Sequence, residues 1–355
     1  MTIAATPNPD RTAHRLTIAL AIVLAALCVA SLAMGAMRIA PTHVLAILAS
    51  FVRVDLGVPV ETAEQAVVRT IRLPRLAMGL AVGAGLASAG ATLQGIFRNP
   101  LADPGLIGVS AGAAAGAATV LVLGDAWVAR LGVPAPVVVA VAAAVGGWAT
   151  TLVVYRLATR AGHTSAATML LAGVAMNALG FAWIGWMTWI ADDAQLRAMT
   201  MWSLGSLGAT TPAFALWLVP PTVLVAVGMN RLGTDLDALS LGDAAARYLG
   251  RQPDRIRRRA IVGASVAAGL TVGVTGLIGF VGLVVPHIIR LVVGPSHGRV
   301  ITLGLLLGPI LVVGGDLIAR TAAAPLEMPV GVVMSTVGAP VLLWLLLQSQ
   351  RGLDV

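Results

Sequence analysis

The sequence predicts an all-α, polytopic membrane protein with about ten transmembrane helices. Three observations carry this. The 355 residues are 58% hydrophobic and only 11% charged, with a mean hydropathy of +0.92, whereas a soluble domain of this size needs a mostly polar surface. The apolar residues gather into runs on the scale of the ~20 residues that cross a bilayer. Pro, Gly and charged clusters punctuate those runs, as breakers do between helices. No stretch reads as a separate soluble unit, so residues 1–355 form one membrane domain.

The first span is 16–37, preceded by Arg11 and Arg15 in a tail of residues 1–15. At about 22 residues it exceeds the ~7–15 of a cleaved signal core, so it is read as a retained helix. The segment 38–71 follows on the external side, with Thr42–Phe51 lying along the interface. Further spans are expected at 72–97, 107–123, 135–157, 166–190, 212–229, 259–277, 279–293, 300–318 and 330–348, with breaks around Gly279 and Pro286. Glycine pairs spaced by four, such as Gly79/Gly83, Gly112/Gly116, Gly269/Gly273 and Gly304/Gly308, are expected to pack helices within the chain rather than between chains.

All 23 basic residues are arginine. A pI near 11.3 would point to nucleic acid in a soluble protein. Here the arginines sit between apolar runs and act as topology signals, so no nucleic-acid partner is expected. With the N-terminus inside, most of them fall on the cytoplasmic side, including Arg98, Arg156, Arg160 and the cluster at 255–259, and the C-terminus is also inside. The single cysteine, Cys28, excludes an intrachain disulfide.

The missing lysine also excludes a phosphate-binding P-loop, so a pump driven by ATP would need its motor on another polypeptide. The sequence has no His-Glu-x-x-His pattern and no cysteine cluster, and no metal or cofactor is expected. Gly108-Val109-Ser110-Ala111-Gly112 fits the nucleophile-elbow pattern, but it opens an Ala-rich span instead of following a strand. A secondary transporter would carry acids near the midplane, whereas the acids here cluster at span ends.

The candidate functional residues lie at the span ends. Arg72 and Arg75 flank Pro74 at the external start of the second span, and Arg320 ends the ninth. They either anchor the interface or grip an acidic partner, since a guanidinium binds carboxylates bidentately. The segment Ala191–Arg197 reads as a polar external loop, with Arg197 a candidate for lining substrate access. The longest cytoplasmic segment, 230–258, reads as two short helices near Asp235–Ser240 and Asp243–Leu249, hinged at Gly242.

Several motifs together carry a resemblance. They are Ile71-Arg72-Leu73-Pro74-Arg75, Gln94 through Gly108 with its Arg98-Asn99-Pro100-Leu101-Ala102-Asp103-Pro104 core, Trp202-Ser203-Leu204-Gly205-Ser206-Leu207, Leu239-Ser240-Leu241-Gly242, Gly279 through His287, Glu327-Met328-Pro329-Val330-Gly331 and Gly338-Ala339-Pro340. From about residue 65 onward the chain resembles the iron-siderophore, haem and cobalamin permeases of type II ABC importers. Met328 is a departure, because leucine is common there; the swap conserves volume.

The resemblance implies ten helices per subunit, two ATP-binding subunits, a periplasmic binding protein and a second permease copy in a homodimer or close heterodimer of the bacterial inner membrane. It implies that Arg72, Arg75 and Arg320 dock the binding protein, that Asn99 and Leu101 belong to a cytoplasmic gate, and that Gly242, Asp243, Arg247 and Tyr248 couple to the ATPases. Residues 191–207 look most like haem permeases, so haem is the expected substrate, with a ferric siderophore next and cobalamin third.

Overall fold

A computed structural model describes residues 9–124, 128–160 and 163–351. Helix α1 spans Pro9–Ala33 and α2 Pro41–Phe51. Helix α3, Thr62–Ala66, runs through a π turn at Val67–Arg72 into α4, Leu73–Phe97. After a 3-10 turn at Pro104–Ile107 come α5 (Val109–Leu123), α6 (Ala135–Ala158) and α7 (Ala166–Ile190). They are followed by α8 (Asp193–Ser203), α9 (Pro212–Asn230), α10 (Gly233–Ser240) and α11 (Asp243–Tyr248). The chain continues through α12 (Pro253–Thr275), α13 (Val281–Val293), α14 (His297–Thr321) and α15 (Val330–Arg351).

Each of the ten expected spans falls on a helix. Six of these helices are both long and apolar enough to cross a bilayer, while α5, α13 and the apolar part of α15 are shorter and α12 opens on arginines. Helix α1 starts at Pro9, so residues 9–15 of the expected tail are helical and residues 1–8 lie outside the described part. A two-residue antiparallel ladder, Thr159–Arg160 with His163–Thr164, was not expected.

Helix α4 is the axis of the fold. It is almost wholly buried and packs against α9, α12, α13 and α14. Glycine allows this: a Cβ on Gly83 would lie 2.5 Å from the backbone of Gly308 and Pro309 on α14, and one on Gly90 would lie 1.8 Å from the Gly282 carbonyl oxygen of α13. Backbones this close need residues without side chains. Of the expected small-residue pairs, Gly83 and Gly308 make such a contact within the chain.

Two expectations need correction. The break at Gly279 exists, between α12 and α13, but Pro286 lies inside α13 and does not end it. A proline leaves the carbonyl four residues earlier without its helical donor, here that of Gly282. Gln94 on α4 supplies the replacement, donating from Nε2 to Gly282 O at 3.3 Å and to Leu283 O at 3.4 Å. Its Oε1 in turn accepts from the Arg290 guanidinium. The second correction concerns residues 191–197, which are not a loop but mostly the start of α8. Asp192 accepts from the backbone N–H groups of Ala194 and Gln195, both at 2.8 Å, and Gln195 closes the reciprocal bond to Asp192 N at 3.1 Å. That is a capping box.

Candidate functional site

The chain path sorts the candidate residues to the two ends of the bundle. Helices α1 and α14 run toward the end where α4 begins, bringing Arg72, Arg75 and Arg320 together. Asn99, Leu101 and the α10–α11 hairpin lie at the other end, where α4 finishes.

At the first end the three arginines are buried. The last carbonyls of α1 have no partners within their own helix and need donors. Arg72 supplies them to Leu32 O at 2.6 Å and Ala33 O at 3.0 Å, and also donates to Met37 O. Arg320 donates to Ser31 O at 2.5 Å, to Ser31 Oγ at 2.8 Å and to Met34 O at 3.0 Å. The two arginines therefore cap the C-terminus of α1, where positive charge also suits the helix dipole.

Arg75 does different work. Its Nε donates to Asp316 at 3.0 Å, its Nη2 approaches the same carboxylate at 3.0 Å, and its Nη1 donates to Glu327 at 2.9 and 3.1 Å. Asp316 also lies 3.5 Å from Arg320 Nε. A cleft of about 250 Å³ opens on this cluster, lined by all three arginines with Gly35, Pro325 and Glu327. The expected docking residues are thus not a free cationic patch but are held by internal partners. Exposed arginines at this end include Arg38, Arg53, Arg69 and Arg197, interspersed with the exposed acids Asp55, Glu61, Asp192 and Asp193. Arg197 stands on α8, and among the described residues no hydrogen bond or ion pair joins it to the cluster. Neighbouring α2 is tied down by His43 Nδ1 to Glu64 Oε2 at 2.8 Å and by Arg69, which bonds Ser50 Oγ at 2.9 Å and sits 5.0 Å from the Phe51 ring centroid.

At the other end, α4 stops because Arg98 adopts a left-handed conformation, φ +48°. Asn99 Oδ1 then accepts from Leu101 N at 2.9 Å, an Asx turn that presents Leu101 outward. Arg98 Nη2 reaches across to Leu239 O at 2.7 Å and to Asp243 at 3.3 Å. Gly242, at φ +110° and with open space where a Cβ would be, makes the bend between α10 and α11.

Asp243 also has a structural role. It is bound within the chain, 2.6 Å from Arg257 of α12 as well as to Arg98. The Arg257 hydrogen bond, with the charges of Arg257, Arg98 and Arg247, outweighs desolvation and holds its carboxyl below the usual aspartate range. A lowered value means that the anchor holds at neutral pH and is lost only as pH falls through it. Tyr248 is 94% exposed, with Leu241, Arg247 and Leu249 also exposed beside it. These are the side chains the hairpin offers outward.

Sequence reasoning missed Asp237 on α10. It accepts from the N–H of His297 at 2.7 Å, bonds the ring of His297 at 2.8 Å and accepts from Ser296 Oγ at 3.1 Å. It thereby caps α14 and fixes the hairpin to it. Arg251 to Asp235 at 2.7 Å closes the hairpin's far side. A cleft of about 650 Å³ lies between the hairpin and the start of α14. Ser110 opens α5 behind the 3-10 turn instead of a strand, and no general base among the described residues bonds to it.

Comparison with known proteins gives these arrangements a context. A family model described as the FecCD transport family matches residues 22–348. The hemin transport system permease protein HmuU of Yersinia pestis is 40% identical over 284 residues, 79% of this chain and 83% of that protein. The cobalamin import system permease protein BtuC of Halobacterium salinarum is 40% identical over 292 residues, 82% of this chain and 75% of that protein. The vitamin B12 import system permease protein BtuC of Vibrio parahaemolyticus is 35% identical over 343 residues, 96% of each. A solved structure of a metal-chelate type ABC transporter in an inward-facing conformation superposes with a TM-score of 0.80 at 27% identity, covering 94% of this chain and 99% of the other.

Proposed function

The chain belongs to the FecCD transport family, and on that premise we propose that it is the permease subunit of a bacterial ABC importer that carries haem across the inner membrane. The subunit is not itself an enzyme; ATP is hydrolysed on separate motor subunits. The observation that carries the reading is the α10–α11 hairpin. It is bound to α4, α12 and α14 through Arg98, Arg257 and Asp237, yet it ends in the exposed Tyr248. A motor pressing on such a tip moves three membrane helices together, and coupling of this kind requires two states that the partners bind unequally.

The remaining roles follow the geometry. The hairpin end, with both termini, faces the cytoplasm, in line with the arginine distribution. The Asn99–Leu101 turn, next to the hairpin, closes the pathway on that side. The opposite cleft around Arg75 accepts an acidic side chain of a periplasmic binding protein, while Arg72 and Arg320 hold the rim of that cleft by capping α1. A second copy of the chain completes the pathway.

Haem is supported by the likeness to the hemin permease of Yersinia pestis. Cobalamin is the second reading, because relatives named for cobalamin or vitamin B12 match at comparable identity and length. The test is uptake into proteoliposomes holding the permease, its ATPase and its binding protein, offered haem, a ferric siderophore or cobalamin in turn. ATP-dependent accumulation of haem alone upholds the assignment. Accumulation of cobalamin or a siderophore in its place keeps the transport mechanism and replaces the substrate.

The hairpin gives a sharper prediction. Tyr248→Ala should leave thermal stability unchanged yet weaken ATPase association roughly tenfold or more, as removal of an exposed tyrosine anchor does at interfaces. Asp243→Asn should weaken association too, but through loss of the Arg98 and Arg257 anchors, with a stability cost of about 1 kcal/mol or less. Equal ATPase recovery on the unaltered and Tyr248→Ala permeases would reject this tip as the contact.

A further inference from the structure

We infer that Glu327 is a built-in competitor for the docking partner's acidic side chain, holding one edge of Arg75 until an incoming carboxylate displaces it. The inference rests on the reading of the outer cleft as a docking site.

Arg75 meets two carboxylates that differ in accessibility. Asp316 takes the Nε–Nη2 edge and its side chain is 4% exposed, whereas Glu327 takes Nη1 and its side chain is 51% exposed. Asp316 sits on α14 among packed helices and is the permanent counterion. Glu327 sits in the connection between α14 and α15, on the open side of the cleft. The backbone there is fixed, since Met328 N donates to Ala319 O at 2.9 Å, so only the Glu327 side chain has to rotate to free Nη1. Gly208 borders the pair: a Cβ there would lie 3.5 Å from Glu327 Oε2 and 3.8 Å from Arg75 Nη1. The neighbouring wall therefore carries no side chain at this point.

Charge balance points the same way. Three guanidiniums line or border the cleft and two carboxylates answer them. With Glu327 rotated away the cluster gains one uncompensated positive charge, and a partner carboxylate restores the original balance. Glu327 thus keeps Arg75 paired while the cleft is empty and raises the threshold for docking. A partner must offer a carboxylate better placed than the resident one, and partners that cannot are turned away.

The experiment uses the permease–ATPase complex in nanodiscs and the binding protein that works with it. Docking affinity is measured for the unaltered complex, Glu327→Gln and Glu327→Ala, each at low and raised salt. Competition predicts roughly three- to tenfold tighter docking in both variants, the range for one partly exposed charge pair. If Glu327 merely positions Arg75, both variants dock more weakly. Weaker or unchanged docking, with the unaltered complex still losing affinity in salt, overturns the inference and leaves the docking reading intact. Docking indifferent to salt removes the charged cleft as the docking site, and the inference goes with it.

Discussion

Asp316→Asn is expected to destabilise the fold by roughly 3–5 kcal/mol, the cost of leaving a buried charge without its partner. The carboxylate lies between Arg75 and Arg320, and all three side chains are buried. Asparagine keeps the volume and can still accept a hydrogen bond, but it removes the negative charge that answers the two guanidiniums. Arg75 would retain only the half-exposed Glu327, and Arg320 would keep its carbonyl bonds to α1 but no carboxylate. The loss should spread to the end of α1, because Arg320 caps that helix. Unfolding of the purified protein, followed by the fluorescence of its 8 tryptophans, measures the effect. Glu327→Gln is the internal comparison and should cost about 1 kcal/mol or less, as expected for a partly exposed pair. If the two variants unfold alike, Asp316 is not the keystone of the cluster.

That cluster also shows where the sequence stops being legible. The ten spans could be read because six are long apolar runs and the shorter ones are bounded by Gly, Pro or charged breakers, signals that do not depend on their partners. The hairpin could be read too, because Gly242 breaks a polar stretch between two short periodic segments. The capping of α1 could not. Arg72 and Arg320 reach its carbonyls from 40 and 289 residues away along the chain, and nothing local separates such a cap from an interfacial anchor or a docking residue. The continuity of α13 through Pro286 is hidden for a related reason. A proline normally breaks a helix because one carbonyl loses its donor, and here Gln94 replaces that donor from 188 residues before Gly282. The capping box at Asp192 and Gln195 was readable, since an acid followed three residues later by glutamine is its signature. The adjacent acids Asp192 and Asp193 mask it, because the same pair also fits a solvated loop. Asp243 shows the limit for the site: its bonds to Arg98 and Arg257 span 145 and 14 residues of chain, and no local pattern announces them.

The second large effect is expected at Gly90. Its missing side chain lets α4 lie against the Gly282 backbone, where an added Cβ would fall 1.8 Å from the carbonyl oxygen and 2.4 Å from its carbon. Neither atom is the end of a flexible side chain, so Gly90→Ala must push α13 away from α4. The cost should reach or exceed about 3 kcal/mol, the upper part of the range for overpacking a tight interior. The displacement would also carry Gly282 and Leu283 away from Gln94, which already bonds them at 3.3 and 3.4 Å. The carbonyl freed by Pro286 would then lose its replacement donor, so the steric loss and the hydrogen-bond loss add at one place. Two comparisons separate this from a general intolerance of alanine. Gly304→Ala adds a Cβ at 3.6 Å from the Ala87 side chain, an ordinary contact, and should be nearly neutral. Gly185→Ala adds one to open space on α7 and should stabilise by about 0.5–1 kcal/mol through helix propensity. The yield of monodisperse protein and its unfolding temperature should therefore rank Gly185→Ala above the unaltered chain, Gly304→Ala beside it and Gly90→Ala far below. A Gly90→Ala protein as stable as Gly304→Ala would mean that α4 and α13 do not meet backbone to backbone. Gln94 could then not serve the Gly282 carbonyl that Pro286 leaves without a donor, and the continuity of α13 through that proline would need a different cause.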